Sequence, residues 1–290
     1  MAQKVLPIQE LKLKANDIRQ DIIEMLIAAG SGHSAGPLDM ADVFTALYFS
    51  VMKHNPEDPN WVERDYCILS AGHICPVLYA TLAEAGYFPK EELKTLRKLG
   101  TRLLGHPHNK ALPGLETSSG PLAQGISQAI GFAMALRMDY KRNHVYCIMG
   151  DGEQDEGQVW EGVMFAAKEK LHNLTVIIDR NNIQIDGFTE DVMPLEGLRA
   201  KYESFNWHVI EVDGHNIQSI IDACHEAKAI YEKPTCIIAH TIASKGVEYM
   251  EEKFEWHGIP PGIQDVAGAP PKALQGKEAL HELRTLRGRI

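Results

Sequence analysis

The sequence predicts an α/β fold in which helices cover both faces of a doubly wound, mainly parallel sheet. Short apolar runs rich in β-branched residues, at 144–149 and 174–178, are typical of buried strands. The segment 156–170 between them has the length and spacing of a helix, and such a strand, helix, strand unit forms a parallel crossover. The same alternation returns in a strand, a helix and a strand predicted at 208–212, 217–231 and 235–239.

The part of the chain before the central unit is predicted to supply mostly helices. Helical spacing runs from 11 to 29 and ends at Gly30, where a left-handed cap is expected. The further elements are a glycine-rich loop at 30–37, a helix at 39–51, a strand at 65–69, a helix after His73 that reaches Ala85, and a helix at 122–139. The stretch 100–121 is irregular and rich in Gly, Pro and Ser, and a loop of that length in a compact domain is usually functional.

Length and composition indicate one domain. The 290 residues, 44% of them apolar, suffice for one large α/β domain over 1–290. Residues 258–290 are predicted to be a C-terminal surface extension, in which a Pro/Gly-rich run precedes a final helix near 277–287.

Charge and cysteine content limit the possible partners and location. The net charge is −10, and no basic run or basic aromatic stripe is present, so a nucleic-acid partner is not expected. The five cysteines are odd in number and mostly lie in apolar runs, which indicates free thiols in a reducing compartment. Because neither a signal core nor an apolar window of membrane-spanning length is found, we expect no membrane partner and a cytoplasmic location.

Polar residues follow both central strands. Asp151, flanked by Gly150 and Gly152, follows the first strand, and Asn181 follows the second. Because parallel strands end at one sheet edge, these side chains are predicted to be neighbours. A carboxylate and an amide oxygen suit a magnesium or calcium ion that takes its other ligands from waters and phosphates, and the glycines let a bulky anion approach. A Gly-Asp-Gly after a strand is also common as a simple turn.

Four histidines lie beside glycines in loops: His33, His73, His106 and His257. Imidazoles can donate to phosphates or hydroxyls and can transfer protons near neutral pH, so the group suits a polyol or phosphate substrate. The chain has no P-loop, no complete dinucleotide-binding glycine pattern and no nucleophile elbow. A Ser/His/Asp hydrolase is therefore disfavoured.

Taken together, the motifs resemble the amino-terminal half of the transketolases, which are thiamine diphosphate enzymes. The resemblance covers about residues 15–258. It rests on the Gly150-to-Asn182 spacing and on Ser31-Gly-His33, Ser70-Ala-Gly-His73, Gly105-His-Pro107, Pro113-Gly-Leu-Glu-Thr-Ser-Ser-Gly-Pro-Leu122 and Asp186-Gly187. The chain departs from the family at Ser34-Ala-Gly-Pro37, usually Pro-Gly-Ala-Pro, and at Ala123, usually Gly. Neither change removes a ligand, but both leave the identity of the sugars open.

The resemblance implies a role for each candidate residue. Asp151, Asn181 and the backbone carbonyl of Ile183 would hold a magnesium or calcium ion on the cofactor diphosphate. The remaining cofactor contacts implied are Gly152, His73 and His257 at the diphosphate, and Gly120 and Leu122 at the aminopyrimidine. His33, His106 and His257 would face the ketose, bond its hydroxyls and transfer protons. Glu156 and Glu161 would lie at the interface between cofactor-binding halves, and Glu156 is counted among the cofactor-binding residues. The alternative for both residues is that they lie on a solvated helix face.

The resemblance also implies the amino-terminal subunit of a split transketolase. Such an enzyme transfers a two-carbon ketol group from a ketose phosphate to an aldose phosphate, as in the pentose phosphate pathway, through a carbanion on thiamine diphosphate. The glutamate that activates the cofactor would come from a separate carboxy-terminal subunit in an α2β2 assembly, so the chain alone is expected to be inactive.

Three alternatives compete with this interpretation. An α-subunit of a 2-oxo-acid dehydrogenase gives no reason for the four loop histidines. A deoxyxylulose-phosphate synthase matches the helix after His73 less well. A non-catalytic homologue would retain the fold alone, and the intact Asp151 and Asn181 argue against it.

Overall fold

A computed structural model describes residues 6–290 and has a five-stranded parallel sheet at its centre. The strands of this sheet are β1 Tyr66–Leu69, β2 Val145–Gly150, β3 Leu174–Arg180, β6 His208–Asp213 and β7 Thr235–His240. Their spatial order is β1-β2-β3-β7-β6. A small antiparallel hairpin, β4 Ile183–Gln184 and β5 Gly187–Phe188, follows β3.

Ten α-helices are found in residues 6–290. They are α1 Ile8–Ala29, α2 Ala35–Asp39, α3 Ala41–Ala46, α4 Cys75–Glu84, α5 Gln124–Met138, α6 Gly157–Lys168, α7 Thr189–Val192, α8 Leu198–Ser204, α9 Ile217–Ala229 and α10 Lys272–Arg287. In the described part of the chain, no helix combines the length and apolar character needed to cross a membrane.

The sheet is doubly wound, as predicted. The step from β2 to β3 runs one way along the sheet and uses α6, whereas the step from β6 to β7 runs the opposite way and uses α9. Because parallel crossovers are right-handed, the two helices lie on opposite faces. One buried core accordingly contains residues of α1, α3, α4, α9 and α10, and the other contains residues of α5, α6 and α8.

Most predicted elements are present, with shifted ends. The left-handed cap at Gly30 is confirmed: φ is 65°, and its N–H donates to the Leu26 carbonyl at 2.9 Å. The predicted helix 39–51 is wrong in detail, because the segment folds as α2, α3 and a π-helical turn over Leu47–Val51.

The predicted loop 30–37 is also too long, since α2 begins inside it at Ala35. Gly36 serves helix packing there, because an added Cβ would lie 2.5 Å from Cγ2 of Ile74. The hairpin and the short helices α7 and α8 were not predicted, since elements this short leave no periodic pattern.

The final helix packs against the body of the protein. It begins at Lys272 rather than near Lys277, and Ala279 and Leu283 are fully buried in the core that contains α1. The division of the chain into a single domain, 1–290, with a surface extension over 258–290 stays a prediction.

Candidate cofactor and substrate site

The register of β2 and β3 brings the two predicted metal ligands to one edge of the sheet. Gly150 pairs with Asp179, so the residues that follow these strands share that edge. The buried carboxylate of Asp151 accepts the Gly152 N–H on Oδ1 at 2.7 Å. Its Oδ2 accepts the Asn182 N–H at 2.8 Å and the Thr189 hydroxyl at 3.2 Å. These donors hold the carboxylate in one orientation.

A buried arginine that the sequence analysis did not single out completes this arrangement. Arg180 donates from Nη1 to Asp151 Oδ2 at 3.0 Å, and from Nη2 to Glu190 at 2.5 Å and Glu196 at 2.8 Å. The side chains of Arg180 and Asp151 are each only 3% exposed. Burial raises the pKa of Asp151, while the adjacent Arg180 opposes that rise.

Asn181 is held by two further buried carboxylates. Its Nδ2 donates to Asp39 Oδ2 at 2.9 Å and to Asp179 Oδ2 at 3.1 Å, and its Oδ1 accepts the Ile183 N–H at 3.1 Å. Burial raises the pKa of Asp179 to about 8, and burial together with the neighbouring Asp179 raises the pKa of Asp39 well above its usual value. This edge of the sheet is therefore rich in buried acidic groups.

One cavity of about 350 Å³ at this edge gathers nearly all the predicted site residues. The predicted residues that line it are His33, His73, His106, Gly120, Leu122, Asp151, Gly152, Asn181, Ile183 and His257. Glu156 does not line the cavity; it is exposed and directly precedes α6. Its predicted place at an interface, like that of Glu161, stays a prediction.

Three of the histidines form a compact cluster. The ring centroid of His33 lies 4.9 Å from that of His73 and 5.7 Å from that of His257, and the last two are 5.4 Å apart. Burial lowers the pKa of His33 and of His257 to about 4 and that of His73 well below its usual value. At neutral pH the cluster is therefore uncharged, and each ring has one N–H donor and one acceptor nitrogen.

Glu153 is a cavity residue that the sequence analysis did not identify. Its carboxylate accepts the Ser70 hydroxyl, the Ala123 N–H at 2.6 Å and the Gly150 N–H at 3.0 Å. It thus joins the end of β1, the start of α5 and the end of β2. The only signal in the sequence was an acidic residue directly after Gly152.

Several features fit a diphosphate cofactor and a divalent cation. Nδ1 of His33 and Nδ1 of His257 are buried and have no hydrogen-bond partner among residues 6–290. An added Cβ at Gly152 would lie 2.9 Å from the side chain of Gln184. A glycine at this position therefore leaves the backbone open to close approach by a bound group, and a residue with a side chain would not. The described residues contain no group of three or more His, Cys, Asp or Glu placed to hold a metal. A cation at Asp151 and Asn181 would therefore need oxygens from a bound phosphate, as magnesium often does.

Comparisons with known proteins agree with this chemistry. The family model "Transketolase, thiamine diphosphate binding domain" matches residues 11–277. The chain is 44% identical to the 6-deoxy-6-sulfo-D-fructose transketolase subunit SqwG of Clostridium sp. (strain MSTE9), over 86% of this chain and 91% of that subunit. It is 40% identical to one subunit of the apulose-4-phosphate transketolase of Phocaeicola vulgatus, over 89% of this chain and 92% of that one.

Full-length transketolases match over a smaller share of their own length. The human enzyme is 39% identical, over 87% of this chain and 40% of that enzyme. The solved transketolase of Leishmania mexicana superposes with a TM-score of 0.83 at 32% identity, over 99% of this chain and 45% of that one. The chain therefore belongs to the transketolase family, as a counterpart of its amino-terminal, thiamine diphosphate-binding half.

Proposed function

We propose that the chain is the amino-terminal subunit of a split transketolase that transfers a two-carbon ketol group from a ketose phosphate to an aldose phosphate. The observation that carries the proposal is that Asp151 and Asn181 line the same cavity as a cluster of uncharged histidines. The site thus combines ligands for a metal and diphosphate with groups suited to a polyhydroxy substrate.

Magnesium or calcium would be held by Asp151, Asn181 and the carbonyl of Ile183. Among residues 6–290, Oδ1 of Asp151 accepts only the Gly152 N–H, whereas Oδ2 takes three donors, so Oδ1 is the oxygen best able to accept a cation. Gly152, His73 and His257 would contact the diphosphate, and Gly120 and Leu122 the aminopyrimidine. When bound, thiamine diphosphate supplies the electron sink for cleavage of the carbon–carbon bond.

His33, His106 and His257 would act on the sugar. Their rings line the cavity, and the buried Nδ1 atoms of His33 and His257 are unused by residues 6–290. A neutral imidazole can donate to one hydroxyl and accept a proton from another, so these residues can orient the ketose and hold a proton at nitrogen. The proposal assigns them these two tasks.

The glutamate that activates the cofactor would come from a second chain. Glu153 lines the cavity, but three donors already occupy its carboxylate, so it is not free for that task. Two of the relatives that match along nearly their whole length are named as subunits, which supports a separate carboxy-terminal partner. We extend this to an α2β2 assembly in which Glu156 and Glu161 face an interface.

The relatives also support an anionic sugar as substrate. One is named for 6-deoxy-6-sulfo-D-fructose and another for apulose 4-phosphate, and both sugars carry an acidic group. A cytoplasmic location is supported by the five free, buried cysteines, which are typical of proteins in a reducing compartment.

Reconstitution tests the proposal. The chain is produced alone and together with a carboxy-terminal transketolase subunit from the same genome, and ketol transfer between a ketose phosphate and an aldose phosphate is measured. We expect transfer only when both chains, thiamine diphosphate and magnesium are present, and none when the complex carries Asp151→Asn. Transfer by the chain alone would contradict the two-subunit account. A folded, cofactor-loaded complex that transfers no ketol group would contradict the assigned reaction.

A further inference from the structure

Two buried carboxyl groups contact the amide nitrogen of Asn181. Asp39, the last residue of α2, is fully buried and does not line the cavity. Asp179 lies in β3, is 3% exposed and lines the cavity. Their Oδ2 atoms lie 2.9 and 3.1 Å from Nδ2 of Asn181, so each takes one of its two N–H groups.

These contacts determine which way the amide points. Nitrogen of a side-chain amide only donates and its oxygen only accepts. In the observed orientation Nδ2 meets both carboxylates, and Oδ1 meets the Ile183 N–H at 3.1 Å. The reversed orientation would turn the amide oxygen toward the two Oδ2 atoms and the NH2 group toward the Ile183 N–H, so the three observed bonds would be lost, which is costly in a buried site.

The observed orientation leaves one lone pair of Oδ1 for another partner. A carbonyl oxygen has two lone pairs, and the Ile183 N–H uses one of them. Asn181 lines the cavity beside Asp151, so a cation there can use the second.

We propose that Asp39, acting with Asp179, is a positioning residue that keeps the Asn181 amide oxygen turned toward the cation of the diphosphate site. The inference rests on the proposed function, because it assumes that a divalent cation binds at Asp151 and Asn181. Asp39 acts only through Asn181, and such outer contacts commonly change metal affinity by about 10–100-fold when removed.

Asp39 contacts Asn181 through one of its two oxygens. Its Oδ2 accepts an N–H of Asn181, whereas its Oδ1 is buried and has no hydrogen-bond partner among residues 6–290. Asp39→Ala removes the acceptor at Oδ2, so one N–H of the Asn181 amide would lose its partner.

The test uses the full chain and a double-mutant cycle. Magnesium is titrated at saturating thiamine diphosphate, and its affinity is measured by calorimetry for the wild type, Asp39→Ala, Asn181→Asp and the double variant. We expect each single change to weaken magnesium binding about tenfold or more. Asn181→Asp weakens it although a carboxylate is a stronger cation ligand, because the new side chain has no N–H groups for the Oδ2 atoms of Asp39 and Asp179.

The double variant separates positioning from charge. In the Asn181→Asp background, Asp39→Ala removes one of the two carboxyl groups that lie against the new carboxyl group, so we expect it to strengthen magnesium binding at least about threefold. The same substitution therefore weakens binding in one background and strengthens it in the other. A pure charge effect predicts that Asp39→Ala weakens binding in both and that Asn181→Asp alone strengthens it.

Any of three results would overturn the inference: unchanged affinity in Asp39→Ala, tighter binding in Asn181→Asp, or no gain in the double variant relative to Asn181→Asp. Thermal unfolding without cofactor shows whether each variant folds, and Asp39→Leu, which also lacks the acceptor, replaces Asp39→Ala if the latter does not. A wild-type chain that binds no thiamine diphosphate with magnesium would instead refute the cofactor assignment of the proposed function.

Discussion

Replacing Asp151 by Ala should damage both the cofactor site and the fold. The substitution removes a metal ligand and also leaves Arg180, whose side chain is 3% exposed, without its buried partner. Removing one member of a buried ion pair costs about 3–5 kcal/mol. Because Arg180 keeps Glu190 at 2.5 Å and Glu196 at 2.8 Å, we expect a loss of stability near the lower end, about 3 kcal/mol.

The unfolding free energy and the melting temperature measure this effect. For a chain of this size, a loss of about 3 kcal/mol corresponds to a fall of about 6–12 °C in the melting temperature. The Gly152 and Asn182 N–H groups also lose their acceptor, so calorimetry should detect no binding of thiamine diphosphate with magnesium.

Two further variants control the interpretation. Asp155→Ala removes an exposed carboxylate from the same turn and should change stability by less than about 0.5 kcal/mol. Combining Asp151→Ala with Arg180→Met removes both charges. The double variant should therefore lose about 1–2 kcal/mol less stability than the two single variants lose in total. A stability of Asp151→Ala within about 1 kcal/mol of the wild type would refute the role given to the buried pair.

Three other predictions follow from the packing and protonation of the site. Gly125→Ala should destabilise the fold by about 2 kcal/mol or more, because the new Cβ would lie 2.3–2.5 Å from atoms of Ser70. Gly131→Ala should not, because its new Cβ would have no neighbouring atom within 4 Å. Equal unfolding free energies for the two variants would contradict this. Gly152→Ala should weaken thiamine diphosphate binding at least tenfold by calorimetry with little change in melting temperature, and Gly157→Ala, in open space, should leave binding unchanged. His257 has a folded pKa of about 4, below its unfolded value, so its contribution to stability is present above about pH 6.5 and is lost as the pH falls toward 4. The loss of unfolding free energy between pH 7 and pH 5 should be about 1–2 kcal/mol smaller in His257→Asn than in the wild type. An equal loss in both proteins would count against the neutral histidine cluster.

The part of the site that depends on strand pairing could be predicted from the sequence. Parallel strands end at the same edge, so Asp151 and Asn181 had to be neighbours once the crossover was recognised. The loop histidines could be selected because each is followed or preceded by glycine in an irregular segment, where functional side chains commonly lie. The cavity contains all four of them.

The contacts behind the site could not be predicted, because they depend on how distant elements pack. Asp39 reaches Asn181 from 142 residues away in the chain, and only the placement of α2 beside β3 brings them together. Arg180 is one residue from the predicted ligand, but its three carboxylate partners come from separate segments of the chain. Periodicity shows which face of an element is buried, and it does not show which polar groups meet there.

Cofactor binding by the chain tests the central claim most directly. Thiamine diphosphate is titrated calorimetrically into the wild-type chain in the presence of magnesium and, separately, in the presence of a chelator. We expect saturable binding to one site with magnesium, at least about tenfold weaker binding without it, and no binding to Asp151→Asn. Absence of binding under both conditions, or the same affinity with the chelator, would contradict a metal-bridged diphosphate site at Asp151 and Asn181.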